Sequence, residues 1–171
     1  IENGALSGCI KLSSITIPDS VTKLGEYSFS GCTELTTVSI PNSVTEIGYG
    51  AFRECTNLSS VTLSNRLKTS GSCVFYNCDQ IKSINIPKSL ENIDSSVEGM
   101  FSNCDGLKNV TFEEGTTNIV GNLFRDCPGL EEISIPNTVT KIGAYSFAYC
   151  ENLKKVEMPD SVTVLEHGAF R

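Results

Sequence analysis

The chain has 171 residues, of which 39% are hydrophobic, and its 20 acidic against 13 basic residues give a formal net charge of −7 at pH 7. This acidic balance argues against nucleic acid or an anionic membrane as a partner, and no apolar run reaches membrane-spanning length. None of the eight cysteines forms a close C-x-x-C pair of the kind that zinc sites use. The apolar content is sufficient for one continuous core.

Seven of the cysteines mark an internal repeat. Successive members of this set are 23 residues apart, except for one step of 26, and they are Cys9, Cys32, Cys55, Cys78, Cys104, Cys127 and Cys150. Apolar residues recur three, six and eight positions after each cysteine, and a proline follows the last of them in five units. Such a fixed period predicts a solenoid, because stacked units bury apolar surface that a single unit cannot bury alone.

The first half of a unit predicts two extended segments. Residues 38–40 (Val-Ser-Ile) alternate inward apolar with outward polar side chains, as a half-buried strand does. Pro41 ends this strand, since proline cannot donate a hydrogen bond to a sheet. Val44 and Ile47 then return to the core and predict a second short extended segment.

The second half of a unit carries an alanine, a phenylalanine and the next cysteine at positions i, i+1 and i+4. This spacing predicts one turn of helix with its apolar side inward. The phenylalanines predict a stacked column, the phenylalanine spine, made of Phe29, Phe52, Phe75, Phe101, Phe124, Phe147 and Phe170. The cysteines predict a second column, in which neighbours lie about 5 Å apart. Disulfides need Cβ atoms ~3.5–4.5 Å apart, so we predict that these cysteines are reduced.

The units differ in regularity along the chain. Residues 1–8 form the tail of a preceding unit, and the units from Cys9 and Cys32 follow the pattern closely. Residues 64–121 are irregular, with three extra residues within Asp94–Met100. The chain stops just before the next cysteine of the series, so we expect it to be a fragment of a longer array. No linker or second domain is evident, which predicts a single domain over residues 1–171.

The unit C-x-x-L-x-x-V-x-I-P-x-S-V-x-x-I-G-x-x-A-F resembles the BspA-type leucine-rich repeat, over essentially the whole chain. The resemblance implies an α/β leucine-rich-repeat solenoid, with parallel strands stacked in a curved array, short helical turns and seven repeats of about 23 residues. That family includes surface proteins of bacteria and of some parasitic protists. The matched residues belong to the core, so they imply a fold rather than a function.

Three sets of residues are candidates for chemistry. Cys73, the only cysteine outside the column, is predicted to be partly exposed; it is either an incidental surface cysteine or a reactive thiol, with a bridge to Cys78 as an alternative. His167 is the only histidine and is predicted to be exposed, without partners for a catalytic triad. The acidic residues of the irregular part lack a calcium-loop pattern and are interpreted as solvated surface: Glu91, Asp94, Glu98, Asp105, Glu113 and Glu114. We therefore predict no catalytic, cofactor-binding or metal-binding residue.

The outward positions of the first strand in each unit form the candidate site, which we call the strand face. Its members are Ser14, Thr16, Thr37, Ser39, Ser60, Thr62, Ser83, Asn85, Asn109, Thr111, Glu132, Ser134, Lys155 and Glu157. This face is rich in hydroxyl groups and becomes charged towards the C-terminal units. Solenoids bind partners on such extended faces, although a soluble sheet face of good β-formers would look the same.

The sequence and the resemblance together predict a non-enzymatic adhesion or binding module at the cell surface or in the secreted fraction, with a protein or glycan ligand and no cofactor. The alternative is an intracellular or sensory scaffold for protein–protein interaction, because reduced cysteines suit a reducing compartment. An enzyme would need a catalytic domain outside these residues.

Overall fold

Each repeat folds into one coil, and every coil after the first carries two short strands. The computed structural model describes residues 1–94 and 98–171, so the centre of the three-residue insertion, residues 95–97, lies outside the described residues. The strands are β1 (Lys23–Leu24), β2 (Thr37–Ser39), β3 (Glu46–Ile47), β4 (Ser60–Thr62), β5 (Thr69–Gly71), β6 (Ser83–Ile86), β7 (Asn92–Asp94), β8 (Asn109–Phe112), β9 (Asn118–Ile119), β10 (Glu132–Ser134), β11 (Lys141–Ile142), β12 (Lys155–Glu157) and β13 (Val164–Leu165).

The strands lie on two sides of the solenoid. The even-numbered strands form the first sheet, with parallel pairs β2–β4, β6–β8 and β10–β12, and the odd-numbered strands form the second sheet, in the orders β1-β3-β5-β7 and β9-β11-β13. Thr37 lies opposite Ser60, which is one step of 23 residues, and Ser83 lies opposite Asn109, which is the step of 26. The second extended segment of each unit is confirmed as the odd-numbered strands. The register predicted from the cysteine spacing is confirmed as well.

The third side, which we call the turn side, is built from tight turns. Within the described residues there is no helix, so the predicted helical turn is wrong. Tyr27, Phe29 and Gly31 each donate a backbone hydrogen bond to the carbonyl group 22 residues later, at 2.8, 2.7 and 2.8 Å. Tyr27 and Gly31 have positive φ values of 53° and 70°. Two left-handed residues per coil prevent a helix, while successive turns still give the same apolar spacing.

The solenoid has six strands in its first sheet, and it makes about six turns rather than the seven predicted. The difference arises because the first unit lacks a strand in the first sheet, in the part of the chain that the structure describes. Of its strand residues, Ser14 makes an isolated bridge to Thr37, and the unit contributes no strand to the first sheet within the described residues. Counting cysteines therefore overestimates the number of turns by one.

The phenylalanine spine is confirmed. The six successive pairs of rings from Phe29 to Phe170 stack with centroids 4.9, 5.5, 5.1, 5.6, 5.6 and 5.0 Å apart. Phe75, which lies in the irregular part of the chain, and Phe124, which follows that part, are both fully buried. Rings that are nearly parallel and about one coil apart therefore fill the core along its length.

The column of cysteines lies beside the spine, and its thiols donate hydrogen bonds to phenylalanine carbonyl groups. Cys55 Sγ lies 3.2 Å from the Phe29 oxygen, and Cys150 Sγ lies 3.1 Å from the Phe124 oxygen. All eight cysteines of the chain are free. Burial raises the pKa of the Cys55 thiol to about 12 and that of Cys150 to about 11, so the column is held in its protonated form.

Cys73 is fully buried, and the prediction that it is partly exposed is wrong. Its position aligns with the exposed Tyr27, but its short side chain is covered by groups from both neighbouring coils. The thiol donates a hydrogen bond of 2.7 Å to the Glu98 carboxylate. The half-buried cysteine is instead Cys9, in the first coil.

We expect Phe124→Ala to lower the free energy of unfolding by about 3–5 kcal/mol. The ring is fully buried and stacks on Phe101 and Phe147 at 5.6 Å each. Phe170→Ala is the matched control with a smaller expected loss, because Phe170 is only half-buried and its one ring partner among the described residues is Phe147. Urea unfolding followed by circular dichroism measures both variants, and equal losses would contradict this account.

Native protein should react with N-ethylmaleimide at Cys9 first, since the other seven cysteines are buried. After denaturation without reductant, all eight thiols should react. Peptide mass spectrometry at successive times identifies the modified positions. Alkylation of Cys73 ahead of Cys9, or two or more disulfides in the column, would show that the described packing is incorrect.

The buried thiols also predict that stability declines in alkaline solution. An unfolded cysteine ionises near pH ~8.5, whereas the folded pKa of Cys55 is raised to about 12. The unfolded chain therefore loses protons that the folded chain keeps. The contribution of the buried, neutral thiols to the free energy of unfolding is fully present below pH ~8, and it is lost as the pH rises towards the folded pKa. Urea midpoints measured between about pH 7 and about pH 10 should fall, and the fall should be shallower in Cys55→Ala.

Candidate binding face

The structure brings the strand-face residues together on the outside of the first sheet. All fourteen are exposed: Ser14, Thr16, Thr37, Ser39, Ser60, Thr62, Ser83, Asn85, Asn109, Thr111, Glu132, Ser134, Lys155 and Glu157. Twelve of them lie within strands, while Ser14 forms only a bridge and Thr16 lies outside the strands.

Strand alternation fixes which side chains point outward. Val38 is buried between the exposed Thr37 and Ser39, and Ile133 is buried between Glu132 and Ser134. Because neighbouring strands are parallel and in register, equivalent side chains form straight columns across the sheet. The backbone hydrogen bonds between coils fix the positions of these columns.

The first part of the strand face, up to Asn85, carries hydroxyl and amide groups and no charge. We call this part the neutral zone. One side-chain hydrogen bond connects it to the next coil: the Thr111 hydroxyl donates to the Asn85 amide oxygen at 2.9 Å. The neutral zone therefore offers both donors and acceptors without a net electrostatic preference.

The charged zone comprises Glu132, Lys155 and Glu157. Lys155 Nζ lies 2.7 Å from Glu157 Oε1, and this contact raises the pKa of Lys155 and lowers that of Glu157. Glu132 lies opposite Lys155 in the strand register. All three side chains are exposed, so the ion pair contributes little to stability and remains accessible to a partner.

The charged zone lines part of a depression of about 230 Å³, together with Lys108, Asn109 and neighbouring residues. Small-molecule sites usually occupy ~300–1,000 Å³, so this depression suits one side chain of a macromolecular partner better than a complete small ligand. None of the fourteen strand-face residues is aromatic. The face therefore has no ring on which a sugar or a base could stack.

The other candidates show no catalytic arrangement. His167 is exposed, as predicted, and its ring packs edge-on against Tyr145 at 5.3 Å. Within residues 1–94 and 98–171, no three His, Cys, Asp or Glu side chains converge as a metal site would require. Among the acidic residues predicted to be solvated, Glu91, Asp105 and Glu114 are exposed. Glu98 is half-buried against Cys73 and Glu113 is half-buried beside Lys88, which corrects the prediction for these two residues. The side chain of Asp94 lies outside the described part of the chain. The same described residues include no helix of the length and apolarity needed to cross a bilayer.

Sequence analysis missed the aromatic and arginine residues of the turn side. The Arg53 guanidinium lies 4.4 Å from the Tyr76 ring centroid. Arg125 lies 5.4 Å from Tyr145 and 5.0 Å from Tyr149. A signal was available in the sequence, because Arg53, Arg125 and Arg171 share one position of the repeat, and Tyr27 and Tyr145 share another.

Comparison with known families gives a match over the whole chain. The model of the BspA type leucine-rich repeat region matches residues 1–98 and 97–171, in six copies. No curated protein sequence matches.

Solved structures of bacterial proteins are also similar. A leucine-rich repeat protein from Bacteroides ovatus is 32% identical, with a TM-score of 0.76, over 95% of this chain and 42% of that one. A leucine rich cell surface protein from Faecalibacterium prausnitzii is 29% identical, with a TM-score of 0.69, over 91% of this chain and 41% of that one. The T. pallidum leucine-rich repeat protein is 29% identical, with a TM-score of 0.64, over 89% of this chain and 70% of that one.

This chain thus spans less than half the length of the first two of these proteins. The six copies of the repeat agree with the six strands of the first sheet. By its repeat, its fold and the match over all its residues, the chain belongs to the BspA-type leucine-rich-repeat family.

Proposed function

We propose that residues 1–171 act as one non-enzymatic solenoid domain that binds a protein partner through the strand face, at the cell surface or after secretion. The observation that carries the proposal is the strand face itself. Fourteen exposed polar side chains lie along one side of the solenoid, twelve of them in columns on hydrogen-bonded strands, and their character changes from neutral to charged along the solenoid.

A rigid sheet face favours binding because it loses little conformational entropy when a partner binds. The backbone of each strand is already fixed by hydrogen bonds to its neighbours, so binding restricts mainly the outward side chains. Serine and threonine lose little conformational freedom when they are restricted. The neutral zone can therefore form many hydrogen bonds at low entropic cost.

The charged zone supplies selectivity. Glu132, Lys155 and Glu157 alternate in sign across two neighbouring strands. Such a pattern accepts a surface with the complementary pattern and rejects one that presents like charges. A protein partner fits better than a glycan here, because this face has alternating charges and lacks aromatic rings.

Similarity to a leucine rich cell surface protein, at 29% identity, supports display outside the cell. The reduced cysteine column is compatible with this location. Apart from the half-buried Cys9, its thiols are buried and donate to carbonyl groups, and the raised pKa of buried members such as Cys55 and Cys150 disfavours the reactive thiolate. The column therefore does not require a reducing compartment, although an intracellular scaffold of the same architecture is the alternative.

The proposal predicts that reversing two strand-face charges weakens partner binding. The test variant is Glu132→Lys with Lys155→Glu, which preserves net charge at two positions that lie opposite each other. Partners are first selected by probing an array of purified extracellular proteins with the unmodified chain. Surface plasmon resonance should then show at least about a tenfold loss of affinity, which corresponds to ~1.4 kcal/mol, with an unchanged melting temperature.

The matched control is Lys23→Glu with Glu46→Lys. These residues lie opposite each other on the second sheet and form an ion pair of 2.9 Å, so the exchange also preserves net charge. It should leave protein binding intact. If the control abolishes binding and the strand-face variant does not, the partner binds elsewhere. If no extracellular protein binds but cytoplasmic proteins do, the scaffold alternative holds.

A further inference from the structure

We infer that the chain has a second binding site, for a small neutral carbohydrate, in a groove between the second sheet and the turn side. This site is separate from the strand face and does not depend on its function. The groove has a volume of about 660 Å³ and is lined by Lys23, Glu26, Tyr27, Glu46, Tyr49 and Thr69, among others. Its size lies within the ~300–1,000 Å³ range of small-ligand sites.

The wall of the groove is aromatic. The rings of Tyr27 and Tyr49 meet edge to face, with centroids 5.2 Å apart, and Tyr27 is 41% exposed. An exposed ring held against a second ring presents a flat apolar surface with a polar rim. The C–H face of a sugar ring is a suitable partner for such a surface, while its hydroxyl groups reach the polar rim.

Tyr27 adopts a backbone conformation that is unfavourable for a tyrosine. Its φ is 53°, and the equivalent positions in the coils before and after it are Gly4 and Gly50, with φ values of 64° and 58°. Glycine adopts this conformation without cost, whereas a residue with a side chain does not. The left-handed conformation also recurs at Cys73, Asn122 and Tyr145, which occupy the same position in other coils. The turn therefore fixes the direction of the side chain at this position, and at Tyr27 it holds a bulky ring at the surface beside the groove.

The Tyr49 side chain is positioned by Cys73, which lies in the next coil. Interaction of the Tyr49 hydroxyl group with the Cys73 thiol, together with burial, raises the pKa of Tyr49 and keeps it protonated. Cys73 in turn donates to Glu98 at 2.7 Å and is fully buried. The cysteine outside the column and the glutamate at the end of the insertion thereby act as positioning residues for the ring.

The rest of the groove offers hydrogen-bonding groups of both kinds. Glu26 is exposed and forms no ion pair among the described residues, so its carboxylate can accept hydrogen bonds from sugar hydroxyls. Lys23 and Glu46 form an ion pair of 2.9 Å, and Thr69 adds a hydroxyl. Two carboxylates against one ammonium make the groove slightly negative, which disfavours sialylated or sulfated sugars.

Saturation-transfer NMR of the full chain with lactose, maltose, cellobiose and 3′-sialyllactose tests the inference. At least one neutral sugar should show saturation transfer with a dissociation constant on the order of 1 mM, and 3′-sialyllactose should bind more weakly. In Tyr27→Gly the affinity should fall at least about tenfold. That variant should fold normally, because glycine occupies the equivalent position in both neighbouring coils.

Tyr145→Gly is the matched control. Tyr145 occupies the same position of a later repeat, has φ 56°, and its ring likewise lies over the glycine of the following coil, but it lies outside the groove. It should leave sugar affinity unchanged. Tyr49→Phe tests the positioning role: it should weaken sugar binding with little change in melting temperature, since the ring is retained and only the contact with Cys73 is lost.

Three results would overturn the inference: no saturation transfer to any neutral sugar, stronger binding of 3′-sialyllactose, or equal losses in Tyr27→Gly and Tyr145→Gly. The strand-face variant Glu132→Lys with Lys155→Glu should bind sugar normally. A failure of the sugar site is therefore distinguishable from a failure of the protein-binding face.

Discussion

Backbone hydrogen bonding between successive coils is the constraint on which the rest of this structure depends. Both sheets and the turn side form these bonds, at separations of 22 to 24 residues outside the enlarged unit. Every buried backbone group needs such a partner, so each coil must follow the path of the one before it. A residue at a given place in the repeat consequently lies directly over its equivalents, and inward and outward columns follow from the backbone alone.

The inward columns are uniform because each position requires a particular chemistry. The carbonyl group of Phe29 accepts a hydrogen bond from the Cys32 N–H at 3.3 Å and another from the Cys55 thiol at 3.2 Å. A cysteine at this place is small, behaves as an apolar residue in the core and still donates a weak hydrogen bond. The phenylalanine and cysteine columns thus depend on each other, which explains why both recur at one spacing.

This dependence also separates what the sequence could predict from what it could not. Strand register and the phenylalanine spine were predictable, because one residue spacing determines both. The helical turn was not excluded by the pattern, since turns with left-handed residues at Tyr27 and Gly31 produce the same apolar spacing. The burial of Cys73 was not predictable, because it depends on Tyr49 and Glu98, which come from the two neighbouring coils.

The residue types in the outward columns can vary without disturbing the core. The enlarged unit shows that the length of a repeat can vary as well. Its three extra residues leave the first sheet in register, with Ser83 opposite Asn109, and Phe101 still stacks on Phe75 at 5.1 Å. Where the described residues resume at Glu98, its carboxylate accepts a hydrogen bond from Cys73, at the corner between the second sheet and the turn side. The strand face therefore stays continuous although this unit is longer. Two surfaces of one solenoid can in this way acquire different ligands independently, because only the coil-to-coil hydrogen bonds and the core columns connect them.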